Sequence, residues 1–243
     1  MSDVLESIRA PDTRPSGTRA PGTRPPGTRL RVLARLYMET FVFALAPGVD
    51  PGALADPLAL RVHPGLPGSG HRSAFGAVLG ALGTAPDRMP GFVERDSLAA
   101  LEDMCTGRLD IVPLMIGQPH GAIANVRSDC GADLAAPAPE IVQRVISTGG
   151  GFTAARLPDG LYGAGTPGID TFGTAVLLVA GPRVDDRLAH DVVQRLLIDL
   201  PALRARHPVM RGLDAPDLYP PPGVPAHPGA IKALREVAPP VRR

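Results

Sequence analysis

MCTGRLDIVPLMIGQPHGAIANVRSDC, residues 104–130, is the stretch whose reading decides the fold. A helix ends at Gly107, a residue type suited to the left-handed conformation that closes helices. Arg108 and Asp110 flank the start of the apolar run Leu109–Ile116, which has strand length. Gly117-Gln118-Pro119-His120-Gly121 punctuates the run as a loop, and a short amphipathic helix follows over Ala122–Arg127. A helix–strand–loop–helix unit of this kind predicts an α/β sheet, in which ligands bind at the loops that follow strand C-terminal ends. Asp110 stands at the other end of the strand and reads as a fold residue.

The 243 residues allow one large domain or two small ones. Apolar residues make up 44% of the chain, enough for a packed core; aromatics are 4% and tryptophan is absent, so the core is expected to be aliphatic. A net charge of +1 argues against a dedicated nucleic-acid binder. No apolar run reaches the roughly 18 residues of a membrane span, and residues 1–10 lack the apolar centre of a signal peptide. The two cysteines, Cys105 and Cys130, fit one disulfide or two free thiols, and composition chooses neither the pairing nor the compartment.

Outward from this unit, residues 1–29 read as an unfolded tail. Thr-Arg recurs at 13–14, 18–19, 23–24 and 28–29 in Pro- and Gly-rich sequence, a composition that cannot offset its ordering entropy. Its arginines offer contacts to RNA or anionic lipid; a linker, or translated upstream sequence, is the plainer reading. Leu30–Leu36 and Thr40–Ala46 predict two strands separated by Tyr37-Met38-Glu39. Val49–Asp56 is a turn-rich connection. Leu58–His63 predicts a strand that leads through the Pro/Gly-rich loop 64–72 into an apolar helix over Ser73–Leu82. Backbone N–H groups exposed where such a loop meets a helix bind carboxylates and phosphates. Phe92–Glu94 is a short strand, and Asp96 N-caps a helix over Ser97–Cys105. Leu134–Ala136, Phe152–Arg156 and Ala175–Ala180 are further strands, and Ala138–Ser147 is a helix with Pro139 in its first turn. Asp185–Leu200 predicts a helix that buries Leu188, Val192, Leu196 and Leu200 on one face.

These segments resemble a known family. Cys105, Gly107, Asp110, Gly117, Pro119, Ala122, Ile123 and Cys130 follow the order of a pattern in the second lobe of TAXI-family solute receptors, the binding component of certain TRAP transporters. LRVLARLYME (30–39), GLPGSGHR (65–72), PDGLYG (158–163), DTFG (170–173) and VPAHPGA (224–230) are similar to other segments of that family, with His71 where the family usually carries threonine. The resemblance runs over roughly 30–238. It implies a two-lobed α/β fold like the type II periplasmic binding proteins, with 30–46 and 171–243 in lobe one and 47–170 as lobe two. The family's opening lobe-one segment has no counterpart before Leu30, so the first lobe is expected to be incomplete and binding weak. The resemblance further implies a monomeric, periplasmic, non-catalytic receptor without metal or cofactor. It would capture a small organic anion, a carboxylate or amino acid, for TRAP transporter membrane subunits. The resembling subfamily carries cysteine at both positions, which implies a Cys105–Cys130 disulfide formed in an oxidising compartment.

The ligand candidates under this reading are Tyr37 near the hinge, Ser69, Gly70, His71, Arg72, Gln118 and Thr171. Arg72 suits a bidentate pair with a carboxylate, or snorkels along its helix. Gln118 suits a ligand that both donates and accepts, or is a satisfied loop amide. The histidines give no metal signature; His63, His207 and His227 each precede a proline and read as turn residues. A small serine hydrolase built on Ser69 is the rival function, although Pro67-Gly68-Ser69-Gly70-His71 breaks the nucleophile-elbow pattern. A truncated or regulatory remnant of a receptor is the third reading.

Overall fold

The computed structural model describes residues 30–84 and 96–237; the expected tail and the expected strand Phe92–Glu94 lie outside the described residues. Arg31–Leu45 is one strand, β1, where two were expected. Tyr37-Met38-Glu39 contains no turn-forming residue, so nothing interrupts the pleat. Strands β2 (Ile111–Gly117), β3 (Asp133–Ala135), β4 (Thr153–Leu157) and β5 (Ile169–Ala180) complete a five-stranded sheet in the order β2-β1-β5-β4, with β3 also on β1. β2 and β3 run antiparallel to β1, and β4 antiparallel to β5.

The described residues fall into two compact units, 38–174 and 30–37 with 175–237, and both β1 and β5 contribute residues to each. In the first unit the sheet is covered on both faces. Phe41, Phe43 and Leu45 on one face of β1 meet helices α1 (Gly70–Ala81) and α4 (Pro139–Ser147). Val42 and Ala44 on the other face meet α2 (Ser97–Cys105) and α3 (Gly121–Cys130). This is why β1 is buried without alternation from Thr40 onward. The first of these cores is not purely aliphatic as expected. Phe41 stacks on Phe172 at 4.8 Å and meets Phe43 edge-on at 5.0 Å, and Phe75 and Phe152 extend the cluster. The five phenylalanines among the described residues are concentrated rather than spread.

The outer edge of β2 explains the strand's composition. Ile111 N–H donates to the Arg61 carbonyl at 3.3 Å, Pro113 has no N–H to place, and Met115 N–H donates to Nδ1 of His71 at 2.9 Å. The segment expected as a strand over Leu58–His63 supplies only the single bridge Val62 to Ile111. Arg61 is instead locked to Asp110, its Nε and Nη2 donating to the two carboxylate oxygens at 3.0 and 2.5 Å and its backbone N–H to Oδ2 at 2.7 Å. Asp110 thus has the fold role read from its position. The hydrogen bonds from Arg61 hold its carboxyl below the usual carboxylate range. Cys105, ending α2, and Cys130, ending α3, form a disulfide with Cα atoms 5.5 Å apart. Gly131 closes α3 with φ of 71°, as a left-handed helix stop should.

The second unit packs α5 (Asp186–Arg206) against α6 (Pro228–Val237). Its buried face matches the expected one at its C-terminal end, where Leu200 is buried and Leu196 packs on the core, and differs at its start, where Ala189 and Val193 are buried while Leu188 is 52% exposed and Val192 36%. Residues spaced at four advance by about 40° per step around a helix, so a stripe of that spacing leaves any one face within a few steps. Ala189 and Val193 meet Ala230, Ala233 and Leu234, and the alanines on both helices let them approach closely. At the approach stands Gly229, where a Cβ would lie 2.0 Å from the Asp186 carbonyl oxygen.

Candidate functional site

Two segments border the C-terminal end of β2 in the first unit, the start of α1 through His71 and the loop that follows the strand. α1 begins at Gly70, three residues earlier than the apolar pattern indicates, because Ser69 caps it: its Oγ accepts the Arg72 N–H at 3.2 Å. The preceding loop turns through Gly65 with φ of 88°, and a Cβ there would lie 2.9 Å from Ser69 Oγ and 3.0 Å from the His71 Cβ. Only glycine fits a loop folded so closely on its own helix. The Arg72 guanidinium reaches back to the Gly65 carbonyl at 3.4 Å.

The second loop follows β2. Gln118 Nε2 donates to Thr40 Oγ1 at 2.9 Å, Tyr162 Oη donates to Gln118 Oε1 at 2.8 Å, and the His120 N–H donates to Tyr162 Oη at 2.9 Å. The three bonds tie loop 118–120 to β1 and to the loop after β4. Burial pushes the Tyr162 phenol up, which keeps it neutral and able to donate. His120 caps α3, its Nδ1 accepting the Ala122 N–H at 3.2 Å. Glu39, paired with Gly117 in the β1–β2 register, is half-buried and its carboxyl is pushed up by burial.

Of the sequence-derived candidates, Ser69, Gly70, His71, Arg72 and Gln118 lie around this end of β2, joined by the bond from Met115 to His71. Thr171 is in the same unit but buried, its hydroxyl donating to the Phe41 carbonyl at 2.7 Å inside the sheet. Tyr37 belongs to the second unit. Ser69 makes no hydrogen bond to His71: one accepts from Arg72 N–H, the other from Met115 N–H, so no nucleophile–base pair is formed. Sequence reasoning missed Tyr162, Thr40 and His120 as parts of the site. Tyr162 stood in a quoted motif, but nothing local to residue 162 indicates that its phenol reaches Gln118. An open groove lined by Pro228, Ile231, Lys232, Arg235 and Glu236 lies in the second unit and contains none of these candidates.

Among the described residues, no helix is long and apolar enough to cross a membrane. No curated protein matches the chain. A family model does match, over residues 16–237, a span that begins inside the Thr-Arg repeat. By that match the chain belongs to the NMT1-like family, a periplasmic-binding-like family of solute-binding proteins related to the TRAP solute receptors.

Proposed function

We propose that this chain is a TAXI-type receptor that captures a small organic anion, a carboxylate or amino acid, and delivers it to the membrane subunits of a TRAP-type secondary transporter in the periplasm. The observation that carries the reading is the convergence of the α1 N-terminus with the Gln118 loop at one end of β2. Backbone N–H groups of the first helical turn carry partial positive charge, and Arg72 supplies a full one beside them. Gln118 adds an amide whose orientation Thr40 and Tyr162 fix. Binding, not turnover, is the expected activity, because Ser69 is engaged as a helix cap. Calorimetry with a panel of dicarboxylates, keto acids and amino acids tests the reading. Saturable heat with one class of anion, weakened in Arg72→Ala, is expected; absence of binding by every anion in the panel would sink it.

A further inference from the structure

Met115 N–H points away from β1, at the edge of the sheet, and a side chain rather than a strand receives it. That side chain is His71, whose Nδ1 is 2.9 Å away. A neutral imidazole has one donor and one acceptor nitrogen, so the bond places the proton on Nε2. An imidazolium carries N–H on both nitrogens and has no acceptor to offer. Its Nδ1–H would face the Met115 N–H, donor against donor. We propose that His71 is an acid-sensitive clasp between the first turn of α1 and the edge of β2, closed when the imidazole is neutral and opened by its protonation, which frees that first turn, with Ser69 capping it and Arg72 within it, from the strand.

Three features of the surroundings agree. His71 sits in the first turn of α1, where the helix dipole opposes a positive charge. The groups that face it are His63 before the loop, His120 at the start of α3 and Asp96 at the start of α2; burial, His63 and His120 lower its proton affinity, and Asp96 raises it. Arg72 lies next to it in the chain, its guanidinium turned back to Gly65. The net direction is down from the ordinary 6.5. A histidine depressed in the folded state contributes stability that is whole above its ordinary value and is lost as pH falls through its folded value. The clasp therefore stays closed through the ordinary histidine range and opens only as pH falls through the lower, folded value of His71. Gly65 transmits the opening, since the loop is folded against the His71 Cβ and Ser69 Oγ with no room for a further carbon.

That the clasp governs ligand capture rests on the function proposed above; the clasp itself does not, and its test needs no ligand. Amide exchange of the whole chain is followed by NMR at about pH 7.5 and at an acidic pH where the imidazole 15N shifts show His71 protonated, corrected for intrinsic rates, with Leu114 as the reference because the neighbouring amide points the other way, toward β1. Met115 is expected to lose protection about tenfold relative to Leu114 at the lower pH, the worth of one hydrogen bond. In His71→Asn, whose side-chain oxygen stands where Nδ1 does and does not titrate, the loss should vanish. Met115 protection that tracks Leu114 throughout overturns the proposal, as does a His71→Asn variant that keeps the wild-type loss. Should that variant fail to fold, imidazole 15N shifts of the wild type decide: Nδ1 gaining its proton with Met115 still protected overturns the clasp.

Discussion

Replacing Gly229 by alanine tests how closely α5 and α6 are packed. The added Cβ would stand 2.0 Å from the Asp186 carbonyl oxygen, 2.7 Å from its carbon and 2.9 Å from its Cα, all backbone atoms that no side-chain rotation can clear. Real Cβ contacts do not fall below 3.0 Å, so α6 must retreat from the start of α5 by at least the difference, 3.0 − 2.0 = 1.0 Å. A radial gap of that size forfeits about a quarter to a half of each dispersion contact it opens. The contacts at stake are those of Ala230, Ala233 and Leu234 with Ala189 and Val193. Overpacking of this kind costs about 1–3 kcal/mol, and a purely backbone clash belongs at the upper end. In a chain of this size 3 kcal/mol lowers Tm by roughly 6–12 °C. Thermal unfolding followed by circular dichroism reads the shift. Gly212→Ala is the control, because a Cβ at Gly212 meets nothing within 4 Å. A Gly229→Ala protein that melts with the wild type would refute the close approach of the two helices.

Cys105 and Cys130 close a loop of 25 residues; replacing both by serine should cost about 3.5 kcal/mol, measured by urea unfolding, and a midpoint shift no larger than in the reduced wild type is the internal check. Asp110→Asn should flatten the acid limb of the stability curve. The carboxyl of Asp110 is depressed by Arg61, so it contributes stability above its ordinary value of 3.8 that is lost as pH falls through its folded value; a variant with the wild-type acid limb would count against the fork. Tyr162→Phe removes one acceptor and one donor between His120 and Gln118 and should cost about 1 kcal/mol, with faster exchange of the His120 amide; unchanged exchange would show that the phenol does not hold the loop.

What the sequence made legible was mostly local. Asp96 before Ser97, Pro139 in a first turn and Gly107 two residues after Cys105 each act through neighbours a few residues away, and helices begin or end there. The continuity of β1 was hidden because Tyr37-Met38-Glu39 is polar enough to read as a break, and only pairing across the sheet supports it. The buried face of α5 was read in part: Leu200 is buried and Leu196 packs on the core as expected, but Ala189 and Val193 turn inward in place of Leu188 and Val192, because the partner that sets the face, α6, lies more than twenty residues later. The site was half legible. Gly/Pro content marks the loops at 64–72 and 117–121, but the bonds that join them run from His71 to Met115 and from Gln118 to Thr40 and Tyr162, separations of 44, 78 and 44 residues. Spacing in sequence carries no trace of such contacts.

Pro113 has a consequence for how this protein behaves in crowded solution. An edge strand with a free row of amides is a template for another copy of itself, and sheets that grow by such addition aggregate. On β2 the outward positions read, in order, an amide held by Arg61, a proline ring and an amide held by a histidine. Among the described residues, no two consecutive outward donors of β2 remain for an incoming strand, and the ring keeps a second backbone at a distance. The same proline costs the fold nothing in its pairing with Phe43, because its missing donor faces away from β1. The proline thus works with Arg61 and His71 to keep an apolar strand from recruiting its neighbours, and Pro113→Val, which restores one outward donor, is expected to raise the aggregation rate read by light scattering.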